Sequence, residues 1–548
     1  MDIRRFSRRQ FVAATAALTA TLALPSRADD RGDHGDRGVS FLHGVASGDP
    51  LQTRVILWTR VTPTDLNAEL EVDWYIARDP GMRRVVSHGN SKTDIRRDFT
   101  VKVDADDLEP GRTYYYQFAV RGVRSPVGRT KTLPEGRVDH TRLAFVSCSN
   151  LPAGLFNVYG LVAERLDIDA VLHLGDYIYE YANATYGDGT ALGRVPTPNQ
   201  EIITLVDYRL RHAQYKQDAD LKAAHQQHPF ICVWDDHESA NDSWKDGAQN
   251  HNPELGEGEW SVRKRAAIRA YFEWMPIREH GVQVNTRIFR DFRFGNLADL
   301  LMLDTRLYGR DKQSAVKPIN ASVGYPANDA IINDPARTLL GFDQEAWLDA
   351  KLVASKQRGT TWRLLGQQVM MAQLSVSGGQ TLFNLDQWDG YRPARERLYS
   401  TLRNNNVDNV VVMTGDIHTS WANELTSNPW DRTGAYNPAT GKGVVGVEFV
   451  TPAVSSPGFT NPVEAAQTAY YLRTVSPHMK YIELYKRGYG LLDITRERVQ
   501  GEIWHVATVD APSRTQVMAS AFVNEAGNNW LQPATTPSTA KVATDPAA

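Results

Sequence analysis

Metal-binding and acidic side chains follow several short apolar runs of this chain, at the point where each run ends. The runs have the composition of buried β-strands and occupy Leu143–Val146, Ala170–Leu174, Ile231–Trp234 and Val410–Met413. The side chains that come shortly after them are Cys148, Asp176, Asp236 and Asp416. Because ligands at the carboxyl ends of strands meet in one crevice of an open α/β sheet, we expect these side chains to converge. This convergence restricts the fold more than any single motif does.

The order of the runs predicts the fold class of residues 141–515. Strand-like runs, which also include Leu300–Leu303 and Leu364–Leu365, alternate there with amphipathic stretches. The amphipathic stretches are Tyr208–Ala224, Val262–Trp274 and Gln344–Ser355. Alternation of this kind is typical of a layered α/β domain. Later β-rich runs, such as Gly446–Val450 and Glu502–Val506, suit strands that close a second sheet.

The two ends of the chain differ from this domain. Residues 40–135 contain alternating runs such as Glu69–Ile76 and Thr113–Val120, separated by Pro and Gly turns, and predict a small β-sandwich without a catalytic role. Residues 29–39 predict a charged linker. Residues 532–548 are rich in Pro, Thr and Ala and predict a disordered tail.

The first residues carry an export pattern. A twin-arginine cluster precedes an apolar stretch that ends at Leu24 and a small-residue site at Ser26–Ala28. We interpret residues 1–28 as a cleaved signal for the twin-arginine translocation machinery, the alternative being a basic helix that is retained. The mature chain is then expected to be periplasmic or secreted. No run approaches the roughly 20 apolar residues of a transmembrane helix.

The charge of the chain excludes one class of partner. With 61 Lys and Arg against 64 Asp and Glu, the formal net charge is -3, and there is no long basic stripe. The electrostatic signature of nucleic-acid binding is therefore missing. Polymeric nucleic acid is not an expected partner.

The side chains at the strand ends can hold two different ions. Asp176 and Tyr179 are one turn apart and can face the same ion as His418, and a phenolate beside the Cys148 thiolate is a strong donor set for trivalent iron. If Asp176 bridges to a second ion that faces Asp416, the two metals lie ~3.5–4 Å apart and can clamp a phosphoryl group. Oxygen donors from Asp176, Asp416 and the segment 236–241 suit calcium better than zinc.

The cysteine count excludes a disulfide framework. Only Cys148 and Cys232 occur, and a single bridge between them stays open at this point. Cys232 lies inside its apolar run and is predicted to be an inert buried thiol. His173, also inside such a run, is predicted to be a core histidine.

Together these motifs resemble the PhoD-like alkaline phosphatases, a family of phosphatases and phosphodiesterases within the calcineurin-like metallophosphoesterases. The matching segments of the catalytic part are Ser147–Cys148, Gly175–Glu180, Trp234–Glu238, Asn241–Asp242, Leu303–Arg306 and Gly415–His418. Gly44–Pro50 and Val55–Arg60 are similar to the family's N-terminal β-domain. The resemblance covers nearly the whole mature chain.

The resemblance implies a fold, two metals and a set of residue roles. The implied fold is a four-layer αββα metallophosphoesterase sandwich preceded by the small N-terminal β-sandwich. Ferric iron (Fe3+) would be held by Cys148, Asp176, Tyr179 and His418. Calcium (Ca2+) would be held by Asp176, Asp416 and either or both of Asp236 and Asn241. His237 would assist the phosphate or the leaving group, and Arg306 would contact the phosphate.

The function expected from this resemblance is hydrolysis of small-molecule phosphate monoesters and diesters by an exported alkaline phosphatase or phosphodiesterase, with a metal-bound hydroxide as nucleophile. One alternative is a phospholipase D-type phosphodiesterase that acts on phospholipids. The alternative from another class is a non-catalytic exported binding protein whose metals are only structural.

Overall fold

The computed structural model describes residues 38–279, 287–320 and 322–548. The predicted export signal 1–28 and most of the predicted linker 29–39 lie outside these residues. Val39 already belongs to the first strand, so the linker is shorter than expected at its carboxyl end. Within the described ranges, none of the helices has the length and hydropathy that a membrane span requires.

Residues 39–131 form short strands, as their alternating pattern predicts. They are β1 (Val39–Ser40), β2 (Val45–Gly48), β3 (Val55–Arg60), β4 (Thr62–Pro63), β5 (Leu70–Ala77), β6 (Val85–Thr93), β7 (Thr100–Ala105), β8 (Thr113–Val120), β9 (Val123–Arg124) and β10 (Gly128–Lys131). One sheet has the order β10-β8-β5-β6, with β9 paired to β8.

The remaining residues contain the other strands and the helices. The strands are β11 (His140–Val146), β12 (Ala170–His173), β13 (Pro229–Cys232), β14 (Arg290–Phe294), β15 (Ala298–Met302), β16 (Tyr325–Pro326), β17 (Trp362–Gly366), β18 (Thr381–Leu382), β19 (Val410–Thr414), β20 (Ser420–Leu425), β21 (Gly446–Val450), β22 (Met479–Glu483), β23 (Gly488–Thr495), β24 (Arg498–Val506), β25 (Gln516–Glu525) and β26 (Leu531–Ala534). The helices are α1 (Asn157–Ala163), α2 (Leu205–Tyr215), α3 (Ala219–Gln227), α4 (Trp260–Trp274), α5 (Phe342–Gln357), α6 (Arg392–Asn404) and α7 (Pro462–Val475).

The larger sheet crosses the predicted domain boundary. Its order is β26-β25-β24-β23-β11-β12-β13-β2-β3-β7, so three N-terminal strands extend the sheet that contains β11, β12 and β13. The junction is the parallel pairing of β13 with β2, in which Pro229 lies opposite Ser47 and Phe230 opposite Gly48. The N-terminal strands still have a core of their own, in which Leu57 of β3 packs with Val72 of β5 and Phe118 of β8. They have the two packed sheets of a small β-sandwich, and one of these sheets continues into the larger sheet.

The second sheet has the order β14-β15-β17-β19-β21-β20-β22. Its central strands β15, β17, β19 and β21 are parallel, as are β11, β12 and β13 in the larger sheet. Parallel strands bring their carboxyl ends to the same edge, so each sheet presents several strand ends to one crevice.

The two sheets pack face to face with helices outside them. Along β15, Leu300 and Met302 belong to the core shared with the larger sheet, whereas Leu301 belongs to the core that contains Leu348 and Leu352 of α5. On the larger sheet, the His173 ring accepts or donates a 2.8 Å hydrogen bond with Tyr159 of α1. This arrangement confirms the α/β class, and the predicted core histidine is fully buried.

The structure corrects two expectations about surface segments. The predicted disordered tail 532–548 instead begins in β26 and is bonded along its length, for example by Lys541 to Asp169 at 2.7 Å and by Tyr115 to the Asp545 carbonyl at 2.6 Å. The second expectation concerns the stretch around Arg392–Arg397, whose run of charged residues predicts a solvated helix face. That face is not solvated throughout, because Arg395 is 3% exposed and pairs with Asp389.

Candidate metal centre

The predicted ligands sit on sharp turns that follow the strands. Cys148, Asp176, Asp416 and His418 have φ angles of 62°, 55°, 65° and 60°, in the left-handed region that non-glycine residues rarely adopt. Such a conformation costs about 1–3 kcal/mol per residue and persists where the surrounding structure enforces it. The turns direct all four side chains to the same crevice.

The first group contains the four residues predicted to hold iron. Ligand atoms of Cys148, Asp176 and His418 lie within 4.8 Å of one another. The Tyr179 hydroxyl donates to Asp176 at 2.8 Å and lies 3.1 Å from His418 Nε2. The structure therefore brings together all four residues from three separate loops.

The second group is rich in carboxylates. Oxygen atoms of Asp235, Asp236 and Asp416 lie within 4.8 Å of one another, and Asp176 forms a similar group with Asp236 and His237. Asp176 thus belongs to the first group and is linked to the second through Asp236, and its buried Oδ1 has no hydrogen-bond partner in the described protein. An orphaned carboxylate oxygen between two groups of ligand atoms fits a residue that bridges two cations.

The structure separates the roles of Asp236 and Asn241 only in part. Asp236 accepts a 2.6 Å hydrogen bond from the Asp242 amide and directs its carboxylate into the second group. Asn241 lines the same cavity, and its side-chain amide donates to Gln249 at 3.1 Å. Both residues therefore stay candidates for the second ion.

His237 is held in place by a buried carboxylate. Its Nδ1 lies 2.7 Å from Glu180 Oε2, and Glu180 Oε1 accepts from the Asn241 amide at 2.8 Å. Although burial opposes the charged form, the negative charge of Glu180 raises the pKa of His237. The protonated ring can donate from Nε2 while Nδ1 stays bonded to Glu180.

Arg306 lies beneath the cavity rather than on its wall. Its guanidinium is fully buried and pairs with Asp235 at 2.5 Å and with Asp386 and Asp416 at 2.7 Å. In this position it neutralises part of a dense group of carboxylates. The predicted contact between Arg306 and phosphate stays a prediction.

The electrostatics of the site favour bound cations. Burial, followed by the charge of Asp176, raises the pKa of both Cys148 and Tyr179 well above ordinary values. Burial and the neighbouring carboxylates also raise the pKa of Asp416. A bound metal ion has the opposite effect on these pKa values, because it favours the charged form of its ligands and a coordinating thiol is deprotonated outright. The sulfur, phenol and imidazole donors fit iron, and the oxygen-only group fits calcium.

A cavity of about 360 Å³ gives access to both groups. Its wall contains Asp176, Asp236, His237, Asp416 and His418 among the predicted residues. Tyr181 and Tyr186 from the loop after Glu180, and Asn384 and Asp386 from a second loop, also line it. A volume of this size lies within the range of small-molecule sites, about 300–1,000 Å³.

Several residues of the site were missed by sequence reasoning. The Ser456 hydroxyl donates to the Cys148 carbonyl at 2.8 Å and lies 2.6 Å from the Tyr179 hydroxyl. It comes six residues after β21 and is neither acidic nor a usual metal ligand, so its residue type gave no signal in the sequence. Asp386 comes from a loop that follows no long strand, and the sequence carries no signal for it either.

Glu238 fixes the two loops that carry most of the carboxylates. Its carboxylate accepts backbone hydrogen bonds from Asp176 at 3.0 Å, Tyr177 at 2.5 Å and Asp235 at 2.7 Å. One buried side chain therefore ties the end of β12 to the end of β13.

Both cysteines are free, which decides against the single disulfide that the sequence left open. Cys148 and Cys232 are buried and are not bonded to each other. No disulfide joins the two, and Cys232 is the buried thiol that its apolar run predicts.

Comparisons with known proteins agree along almost the whole chain. Residues 143–503 match the model of the PhoD-like phosphatase family, and residues 27–134 match the model of the N-terminal domain of PhoD-like phosphatases. Alkaline phosphatase D of Bacillus subtilis (strain 168) is 37% identical over 506 residues, which cover 90% of this chain and 82% of that protein. A solved structure described as the structure of PhoD matches with a TM-score of 0.80 and 34% identity over 91% of this chain and 92% of that one.

Proposed function

The chain belongs to the PhoD-like phosphatase family and is a hydrolase of phosphoric esters, and from that premise we propose that it is an exported enzyme that uses iron and calcium to cleave phosphate monoesters and diesters. The alternative of a non-catalytic binding protein is set aside by this membership. The proposed place of action is the periplasm or the cell exterior.

One observation carries the choice of metals. Asp176 stands between a group with sulfur, phenol and imidazole donors and a group with carboxylate donors, and its Oδ1 is unpaired. Cys148, Asp176, Tyr179 and His418 would hold Fe3+. Asp176 and Asp416, with Asp236, Asn241 or both, would hold Ca2+. When bound, the two ions would supply a nucleophile by lowering the pKa of water and would neutralise the phosphoryl charge.

The protein residues position the ester and handle one proton. With cations held by Asp176, Asp236 and Asp416, a phosphoryl group bound in the cavity would lie beside His237, which lines the same cavity. With Nδ1 bonded to Glu180, His237 presents Nε2 to a phosphoryl or leaving-group oxygen. Its raised pKa keeps a proton available for that oxygen.

Metal analysis of the purified protein tests the proposed ions. We expect iron together with calcium, and a visible absorption band from charge transfer between the Cys148 and Tyr179 donors and ferric iron. Tyr179→Phe should weaken or shift the band without unfolding the protein. Zinc as the sole metal in a colourless protein would contradict the assignment.

Calcium is tested separately by selective chelation. Activity should fall when calcium is removed and return when it is restored, with iron content unchanged throughout. Full activity in protein whose measured calcium is low would rule out an essential catalytic calcium.

The substrate class is tested with matched esters. Rates with p-nitrophenyl phosphate, bis(p-nitrophenyl) phosphate and a phosphatidylcholine vesicle compare a monoester, a diester and a phospholipid. Cleavage of the vesicle alone would favour the phospholipase D-type alternative.

Export is tested by the cellular location of activity when Arg8 and Arg9 are replaced by Lys.

A further inference from the structure

A second polar cavity, of about 300 Å³, lies next to the metal centre. One side of it is formed by Ser455 and Pro457, which belong to the segment after β21. Its wall also contains Lys486 and Arg487, which immediately precede β23. The proposed function gives this cavity no role.

The two cavities share a wall. The Pro457 carbonyl, from the second cavity, accepts a 3.0 Å hydrogen bond from the Tyr186 hydroxyl and lies 3.2 Å from His418 Nδ1. Tyr186 and His418 both line the cavity of the metal centre. A ligand that extends past Tyr186 would therefore meet the second cavity.

Sheet topology places Arg487 at the same edge as the metal ligands. β23 pairs antiparallel with β11, with Gly490 opposite Phe145. The residues just before β23 therefore lie beside those just after β11, where Cys148 is found. The segment after β21 contacts Cys148 as well. The backbone amides of Ser455 and Ser456 donate to the Cys148 carbonyl at 3.3 and 3.1 Å.

The cations of this cavity lack a close anionic partner among the described residues, although Glu483 and Asp510 attract the Arg487 guanidinium from farther away. Neither Lys486 nor Arg487 forms an ion pair with a described carboxylate, in contrast to Arg306. The Arg487 Nε is buried and has no hydrogen-bond partner among the described residues, and Nη1 donates only to the Tyr485 carbonyl. The wall contains one acidic residue, Asp510. A buried donor without a partner is costly, and an anion that binds it removes that cost.

We propose that this cavity is a subsite for a second phosphate group of the substrate, carried on the part of the ester that extends away from the scissile phosphate. Arg487 would bind that phosphate through its planar guanidinium, which suits phosphate oxygens, and Lys486 would add a point charge from the rim. The inference rests on the proposed function, since it presupposes that a phosphoryl group binds at the metal centre.

Two matched series of esters test the subsite in the intact, metal-loaded enzyme. One series contains the monophosphates of straight-chain alcohols with two to six carbons, and the other contains the corresponding diol bisphosphates. Phosphate release gives kcat/KM per scissile group, and the ratio of bisphosphate to monophosphate is the readout. We expect a ratio of about tenfold at the chain length that spans the two cavities, as a charge-assisted hydrogen bond supplies.

Variants assign the effect to this cavity. Arg487→Met should bring the ratio close to one, Arg487→Lys should keep part of it, and Lys486→Met should lower it less. Arg473→Met, in the neighbouring groove beside α7, is the control and should keep the wild-type ratio. Circular dichroism and iron content check that each variant is folded and loaded.

The outcomes separate this inference from the proposed function. If the wild type cleaves the monophosphates but shows no preference for a bisphosphate at any length, or if Arg487→Met and Arg487→Lys keep the preference, the subsite is refuted while the phosphatase assignment stands. Absence of cleavage in both series would refute the proposed function instead. Added inorganic phosphate that removes the preference without slowing the monophosphates would show that the subsite also takes the free anion.

Discussion

The proposed metal centre depends on backbone conformations that are unfavourable for the residues that adopt them. Cys148, Asp176 and Asp416 each turn the chain into the left-handed region two or three residues after a strand, and His418 does so two residues after Asp416. Glycine would adopt this conformation more easily but would provide no ligand. The residue types at the strand ends could be read from the sequence, whereas the strained turns that aim them could not.

The first prediction at the residue scale concerns His237. His237→Ala should lower turnover by about 10²–10⁴-fold, since a positioned acid or hydrogen-bond donor contributes that much, while iron and calcium stay bound. Asp176→Ala should lose metal as well. Metal content and steady-state rates of both variants make the comparison.

Esters with good and poor leaving groups then define what His237 does. A general acid matters most for the poor leaving group, so His237→Ala should be more impaired on that ester. Equal impairment on both esters would leave phosphate binding as its role, and full activity on both would make His237 a bystander.

A second residue-scale prediction concerns Tyr186, whose hydroxyl lies 2.8 Å from His418 Nδ1. The partner of the other ring nitrogen orients a metal-binding histidine, and its loss typically costs about 10–100-fold in metal affinity. Tyr186→Phe should therefore lower iron affinity and shift the charge-transfer band. Titration of iron against a competing chelator measures the first effect, and absorption spectroscopy measures the second.

Tyr181→Phe is the matched control for that experiment. Tyr181 lies on the same loop and its ring also packs against His237, with ring centroids 5.4 Å apart, but no hydrogen bond joins its hydroxyl to His418. Equal loss of iron in both variants would show that loop packing, and not the hydroxyl of Tyr186, supports the centre.

At the scale of single elements, the apolar runs predicted the strands well and the helices less closely. The run Val410–Met413 became β19, but the single amphipathic stretch Tyr208–Ala224 is divided between α2 and α3. The break follows from Asp218, whose side chain accepts from two amides and begins α3. Hydrophobic periodicity continues across such a break, so the pattern alone could not reveal it.

The end of α2 supplies a prediction about pH. Lys216 follows this helix, is 2% exposed, and places its ammonium 4.8 Å from the Trp58 ring centroid and 3.1 Å from His225 Nε2. Burial lowers the pKa of Lys216 from 10.5 to about 7. Between these two values the unfolded chain holds a proton that the folded protein has released, so this group makes stability rise with pH.

Lys216→Met should remove that dependence. The variant should melt at a higher temperature than the wild type near pH 6.5, where the wild type buries a charge, and the difference should shrink by pH 9.5. Thermal melting at both pH values measures it. Lys222→Met, at a partly exposed position on α3, is the control, and the same pH slope in all three proteins would contradict the assignment.

At the scale of the whole molecule, the boundary between the N-terminal region and the catalytic part is a continuous sheet. The pairing of β13 with β2 could not be predicted, because a two-residue period shows which face of a strand is buried but not which strand lies beside it. The convergence of the strand ends, by contrast, followed from the ligand types, although the strands belong to two sheets rather than one: β11, β12 and β13 lie in the larger sheet and β19 in the second.

The carboxyl-terminal tail should stabilise this boundary. It runs from the larger sheet, where Ser538 binds Glu502, to Asp169, which pairs with Lys541, and then to Arg129 of β10, which binds Thr544. Removing residues 535–548 should therefore lower the melting temperature, with a loss of about 1.5–3 kcal/mol for each hydrogen bond to a charged group that is not replaced by water. Because the tail lines neither cavity, kcat for p-nitrophenyl phosphate at 25 °C should stay near that of the full chain.

Lys541→Met tests the contact with Asp169 separately from the rest of the tail. It should lower the melting temperature less than the truncation does, since Lys131 still pairs with Asp169 at 2.5 Å. An unchanged melting temperature in the truncated protein would mean that β13 and β2 hold the boundary without the tail.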